Sequence, residues 1–297
     1  METNISKVKK ILFIVNPISG SGKNIPLEKL IEERFGRPEF SYKIVYTERA
    51  GHATELSKTA VAEGTDIIVA VGGDGTVNET ARAIINTDCH LGIIPTGSGN
   101  GLARHLKLPF NVKKGLDSIA MGRFIKIDTA TLDDKVFLSI AGVGYDAHVA
   151  KKFAKAGTRG FLTYFKIVSS DYQGYKPRKY KLILDGKTIK RTAFMVSFAN
   201  SNQFGNNTSI DPNAKIDDGF IDVCIVRKVP MIRLPFIIPL LFMGKFDKTF
   251  YIEIIRAKTI TIKRKKGKTI HLDGDPYDSG KQFEIKIHPL SLKIIVP

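Results

Sequence analysis

The stretch "VAVGGDGTVNE", residues 69–79, constrains the fold of this chain more than any other. A run of apolar and β-branched residues stops at Gly72, Gly73 and Gly75, and a helical pattern restarts at once. Strands that break into glycine turns and then helices belong to parallel sheets with helices packed on them. Thr76 and Glu79 have the spacing of a capping box, which predicts a helix N-terminus there. Such an end offers free N–H groups and a positive dipole to phosphate. Asp74, a carboxylate in the same turn, makes chemical sense beside phosphate if Mg²⁺ bridges the two.

The first 125 or so residues keep the alternation. "KILFIVNP", "FSYKIVYT", "DIIVAV" and "LGIIP" read as strands, while "IPLEKLIEERF", "HATELSKTAVAE", "VNETARAII" and "VKKGLDSIA" read as helices. Short, wholly apolar strands fit a sheet buried on both faces. From about Asp128 the texture changes. "RKYKLILDGKTIKRTAFMVSFAN", "DGFIDVCIV", "KTFYIEIIRAKTITIKR" and "KTIHLDGDP" are strand-like runs joined by turns such as Asp185-Gly186. One helix is expected near 146–170 and another near 230–243. The fold class is therefore α/β: a doubly wound parallel-sheet nucleotide-binding domain over 1–127, then an antiparallel β-sandwich domain over 128–297. The last strand, near 290–297, is free to return to the first domain.

The formal charge is +17, with 43% hydrophobic and 25% charged residues. That balance describes a globular chain that favours anionic partners such as phosphate ligands or an anionic membrane surface. Nucleic acid is set aside, because no binding module or aromatic-plus-basic ladder accompanies the charge. Cys89 and Cys224 lie far apart and read as small buried side chains of a cytoplasmic protein. Residues 1–10 are polar and the apolar run 11–15 is too short for a signal peptide. "PMIRLPFIIPLLFMGKF" raises the membrane question, but its uncharged stretch 234–244 cannot span a bilayer and contains Pro235 and Pro239. It reads either as a helix packed on the β domain or as an apolar element at a lipid surface, flanked by Arg227, Lys228, Arg233 and Lys245.

Two further glycine-rich turns follow strands. "NPISGSGKN", residues 16–24, fails the P-loop pattern, because Pro17 and Asn24 stand where Gly and Ser or Thr are needed. Its backbone and Lys23 still suit phosphate. "IPTGSGNGLARH", residues 94–105, repeats the theme after the next strand. Two such turns on adjacent parallel strands make one crevice at the strands' carboxyl ends, where α/β sheets bind ligands.

The ordered set "NPISGSGK", "GGDGTVNE", "PTGSGNGLA", "GVGYDAHV", "IDPNAKIDDGFIDV" and "LDGDP" resembles the diacylglycerol kinase catalytic-domain family, which includes bacterial lipid kinases and the sphingosine and ceramide kinases. The resemblance spans essentially the whole chain. "GGDGT" is shared with NAD kinases and phosphofructokinases, whereas the NPxSG and DDGxxDV motifs are more specific. The resemblance implies ATP bound between the two domains by Asn16, Thr47, Gly72, Gly73, Asp74, Gly75, Thr76, Val77, Asn78, Gly97, Ser98 and Asn100. It implies Asp273 as the base that takes the proton of the lipid hydroxyl, with Asp74 and Asp128 as carboxylates near catalytic Mg²⁺. It also implies a second metal, Mg²⁺ or Ca²⁺, on Asp218 and the carbonyls of Lys215 and Phe220. Asp217-Asp218-Gly219 and Asp273-Gly274 also read as plain turns.

Two departures stand out. Many diacylglycerol kinases have Asn-Asp where this chain has Asn100-Gly101, and Asp-Gly-Glu where it has Asp273-Gly274-Asp275. The first removes one carboxylate of the metal network, and "GSGNGLA" looks closer to the sphingosine and ceramide kinase loop. The expected function is an ATP-dependent lipid kinase acting on a diacylglycerol-like or sphingoid hydroxyl, peripherally bound to a membrane. The alternatives are an NAD kinase-like enzyme for a soluble nucleotide and a non-catalytic lipid- or nucleotide-binding regulator. The oligomeric state stays open, a homodimer included.

Overall fold

The computed structural model describes residues 8–20, 26–156, 161–205, 208–266 and 268–297. The chain divides into two compact units, Met1–Ile127 with Ser291–Pro297, and Asp128–Leu290.

The first unit runs β1 (Lys9–Val15), α1 (Leu27–Phe35), β2 (Phe40–Tyr46), α2 (His52–Ala62), β3 (Ile67–Gly72), α3 (Asp74–Ile84), β4 (His90–Pro95), α4 (Gly101–His105) and α5 (Val112–Met121). β5 (Phe124–Leu132) then carries the chain across the boundary at Asp128. The sheet order is β2-β1-β3-β4, all parallel, and Lys293 and Ile294 of the last strand pair in parallel with His90 and Leu91 of β4. Alternation along buried strands separates two faces. Phe13, Val69 and Val71 meet Ile31 and Phe35 of α1 and Leu116 and Ile119 of α5 on one face. Ile14, Ile68 and Ala70, equally buried, point to the other, where α2 and α3 pack together. The sheet is thus wound on both sides.

The second unit adds β6 (Lys135–Phe137), β7 (Ile140–Gly144), α6 (Tyr145–Lys155), α7 (Phe161–Tyr172), β8 (Arg178–Leu184), β9 (Lys187–Ala193), β10 (Met195–Ala199), β11 (Gln203–Gly205), β12 (Thr208–Ser209) and β13 (Ile221–Val226). After a 3₁₀ turn, Met231–Arg233, come α8 (Leu234–Phe242), β14 (Ile252–Ala257), β15 (Thr259–Arg264), β16 (Lys268–Leu272), β17 (Asp275–Ser279) and β18 (Gln282–Ile295). One antiparallel sheet has the order β14-β13-β10-β7-β16-β17, and β18-β15-β8-β9 forms another. Inward side chains of both, among them Leu182, Phe198, Val223, Ile262 and Phe283, make a single buried cluster. That is a β-sandwich.

Three local expectations change. The helix expected over 146–170 is two helices, α6 and α7, with 157–160 outside the described residues. The run "YIEIIRAKTITIKR" breaks after Ala257, so β14 and β15 belong to different sheets. The Asp185 carboxylate holds that corner by accepting from the Lys258 and Thr259 amides. Asp128, where the texture of the sequence changes, lies inside β5 and not between elements. Asp185-Gly186 does make a two-residue hairpin, with both φ angles positive (45° and 84°) as such turns require.

α8 is apolar all round. Leu234, Ile237 and Leu241 pack on Cys224 and Val226, on the outer face of the first of these sheets. Phe236, Ile238 and Phe242 face away and are exposed, as are the nearby Ile232, Met243 and Phe250. Among the described residues no helix is long and apolar enough to cross a membrane.

Phe198 is fully buried at the centre of the sandwich cluster. Phe198→Ala is expected to lower the stability of the second unit by about 3–5 kcal/mol, read as a displaced urea-unfolding transition with unchanged slope.

Candidate functional site: a glycine cradle and a set of anchored carboxylates

In the first unit the carboxyl ends of β1, β2, β3 and β4 gather the expected ligand residues. The Asn16 amide N–H bonds the Val71 carbonyl at 3.0 Å, and Thr47 N–H bonds the Val15 carbonyl at 2.8 Å. Asn16 Nδ2 donates to Thr76 Oγ1 at 3.1 Å, and Thr96 Oγ1 donates to Ser19 Oγ at 3.1 Å. The three turns that follow these strands are therefore linked to each other. Lys23 and Asn24 lie outside the described residues.

Glycine is obligatory at the centre. A Cβ on Gly97 would stand 2.5 Å from Gly73 Cα, so the turns after β3 and β4 touch backbone to backbone. A Cβ on Gly72 would stand 2.5 Å from Thr76 Oγ1. Gly73 is the N-cap of α3, in extended conformation, and as a glycine it brings no side-chain cap to that helix. The phosphate-binding potential of such an N-terminus beside side-chain-free backbone is retained. The residues fit a nucleotide phosphate. Val77 and Asn78 point inward and are buried, whereas Ser98 is exposed.

The expected capping box does not form. α3 begins at Asp74, Thr76 Oγ1 accepts from Asn16, and Glu79 Oε1 accepts from the Gly51 amide at 2.8 Å, at the start of α2. Tertiary donors outcompete the local ones. Asp74 is also committed: Oδ2 accepts from Asn100 N–H and Oδ1 from Gly101 N–H, each at 2.8 Å. Asn100 adopts a left-handed conformation and donates from Nδ2 to the Gly97 carbonyl at 2.5 Å. One carboxylate thus ties the turn after β3 to the start of α4.

In the second unit Asp273 and Gly274 form the hairpin turn between β16 and β17, with φ of 49° and 94°. The Asp273 carboxylate accepts three backbone N–H bonds, from Leu138 and Ser139 at 2.8 Å and from Ile140 at 3.1 Å. Asp128 is fully buried and accepts from Leu290 N–H at 2.7 Å and Gly219 N–H at 2.6 Å. Burial pushes its carboxyl above the usual range, against the pull of those two N–H donors.

Asp218 is paired with the Arg256 guanidinium, and its Oδ1 accepts from Phe220 N–H at 3.2 Å. Arg256 also meets Asp222 at 3.1 Å and stacks over Phe220. Among the described residues no cluster of His, Cys, Asp or Glu could hold a metal ion. With a guanidinium on Asp218, the set Lys215, Asp218 and Phe220 does not fit a cation as it stands.

Asn200 escaped the sequence reading. Its side chain donates to the carbonyls of Leu138 and Asp128, at 2.7 and 2.9 Å, and so joins the strand of Asp128 to the segment held by Asp273. Only its place beside the strand-like "FMVSFAN" run was visible, and that run carries no chemical motif.

Comparison with known proteins settles the family. Residues 10–132 match the diacylglycerol kinase catalytic domain, and residues 139–296 match the YegS C-terminal NAD kinase beta sandwich-like domain. The chain belongs to the diacylglycerol kinase catalytic-domain family. Lipid phosphorylation is the activity of that family. A diacylglycerol kinase of Mycobacterium tuberculosis strain H37Rv is 28% identical over 98% of this chain and 96% of its own length. One from Staphylococcus aureus strain RF122 is 28% identical over 90% of this chain and 86% of its own. The crystal structure of a candidate diacylglycerol kinase from Bacillus anthracis strain Sterne superposes with a TM-score of 0.78, at 25% identity, covering 100% of this chain and 99% of that one.

Gly97→Ala is expected to weaken ATP binding at least about tenfold and to lower the melting temperature, because backbone rather than a flexible side chain opposes the methyl group. Calorimetric titration with ATP and a thermal scan check both effects.

Proposed function

We propose that this chain is an ATP-dependent kinase that phosphorylates a hydroxyl of a diacylglycerol-like lipid at an anionic membrane surface. The observation that carries this reading is the contact of Gly73 with Gly97 beside the glycine N-cap of α3, in a chain of this family. Phosphoryl transfer asks a protein mainly for positioning and charge stabilisation. The first unit would seat the nucleotide: the α3 amides meet the phosphates, and Asn16, Thr47 and Ser98 border it. In the second unit Asp273 would orient the acceptor hydroxyl and take up its proton. Its three N–H donors hold the carboxylate in one position. Kinases of this kind use ATP as a divalent-metal complex, usually Mg²⁺, which neutralises phosphate charge.

A soluble-nucleotide kinase leaves the exposed apolar face of α8 without a purpose, and that surface argues for a bilayer. Ile232 and Phe236 are 82% and 75% exposed, flanked by the exposed Arg227, Lys245 and Lys248. A basic rim around exposed aliphatic and aromatic side chains suits insertion among anionic headgroups. Of the expected flanking cations, Lys228 instead donates to the carbonyls of Gln173 and Tyr175, and Arg233 lies over Phe250 and bonds the Tyr251 hydroxyl.

With labelled ATP, the protein should transfer phosphate to diacylglycerol in mixed micelles, and Asp273→Asn should reduce kcat by about a hundredfold or more. Label on NAD and not on lipid would overturn the reading, and label on sphingosine alone would move the acceptor to a sphingoid base.

The double variant Ile232→Ser, Phe236→Ser should lose at least about tenfold in affinity for phosphatidylglycerol vesicles, since each buried side chain contributes about 1.5–3 kcal/mol. Co-sedimentation reads this, and turnover of a short-chain soluble diacylglycerol should be unchanged.

A further inference from the structure

Between β6 and β7 the chain passes through Leu138, Ser139 and Ile140, and every polar backbone edge of that short segment is held. Its three amides point at one carboxylate, that of Asp273, and Asp273 N–H returns a bond to the Ile140 carbonyl at 2.8 Å. The Leu138 and Ser139 carbonyls are held by Asn200 and Ser201 instead. Asn200 Nδ2 donates to the Leu138 carbonyl at 2.7 Å, Asn200 N–H to the Ser139 carbonyl at 2.9 Å, and Ser201 N–H to the same oxygen at 3.1 Å. The second Nδ2 hydrogen reaches the Asp128 carbonyl at 2.9 Å.

Asn200 is 0% exposed, and its Oδ1 has no hydrogen-bond partner among the described residues. A buried amide that leaves its acceptor unsatisfied is kept for its donors, since an unmet buried polar atom carries a free-energy cost. Of the common side chains of this size and shape, only Asn presents two N–H donors to two carbonyls. Asp would set two acceptors against them, and Leu would strip them of any donor.

We propose that Asn200 is the positioning residue for Asp273. One side-chain donor holds the 138–140 segment at the Leu138 carbonyl, the other ties it to the strand of Asp128, and the segment's amides in turn aim the carboxylate. Asn200 acts through Asp273 without touching the reactants. The inference rests on the kinase reading only for its effect on turnover.

The test uses Asn200→Asp in the full chain, with Asn200→Ser as a second variant that retains one donor should the first fail to fold. Hydrogen exchange of the 138–140 amides, followed by mass spectrometry without ATP or lipid, should speed up at least about tenfold, because a segment whose Leu138 carbonyl loses its donor opens more often and breaks its amide bonds to Asp273. In the lipid kinase assay kcat should fall about a hundredfold while the KM for ATP stays within about twofold. The double variant with Asp273→Asn should be no more than about threefold slower than Asp273→Asn alone, because two residues acting through one group are not additive. Unchanged exchange at 138–140 overturns the proposal, as does a kcat loss that multiplies with that of Asp273→Asn. If the wild-type protein phosphorylates no lipid, the kinase reading falls, and the exchange experiment still decides whether Asn200 sets the Asp273 anchor.

Discussion

The contact between Gly73 and Gly97 is the constraint on which the first unit's chemistry depends. Two strand–helix turns approach until a single methyl group would be 2.5 Å from the opposing backbone. That spacing brings the start of α3 close to the turn after β4, and the Asp74 carboxylate closes the arrangement by accepting from Asn100 and Gly101. The Asp74 carboxylate thus joins the two turns.

The same device recurs in the second unit. Asp273 and Asp128 each receive at least two backbone N–H bonds, and each fastens segments that are distant in sequence. Hydrogen bonds to an ionised group contribute about 1.5–3 kcal/mol each, roughly twice a neutral one. Acids singled out for catalysis are thus also organisers of backbone, and they are rigid for that reason. Substituting them will disturb the backbone they organise. Amide exchange and kinetics therefore have to be read side by side.

Part of the chain's formal charge of +17 lies in a row on the sandwich. Lys190, Lys181 and Lys263 stand side by side on β9, β8 and β15, exposed, on the outer face of their sheet. α8 lies on the outer face of the other sheet. Residues alternating with each set fill the common interior. The apolar surface of α8 and the lysine row consequently look in opposite directions, and only the cations near α8 can join it at one planar surface.

Pattern and spacing were enough for the strand–helix alternation, the glycine turns, the hairpin at Asp185-Gly186 and the change of texture near Asp128. All of these are short-range: apolar period, turn chemistry and glycine placement act within a few residues. The motif order was likewise sufficient for the family. Partners lay beyond it. Thr76 and Glu79 carry the local spacing of a capping box, yet Asn16 and the Gly51 amide claim them. Asp218 reads as a cation ligand until folding sets Arg256 of the neighbouring strand against it. Asn200 has no motif at all, and its role exists only because β5 and the 138–140 segment pass on either side of it. Residue type and spacing single out the glycines and carboxylates suited to such chemistry. Packing sets which donors and cations each carboxylate meets, because those partners are tens to more than a hundred residues away.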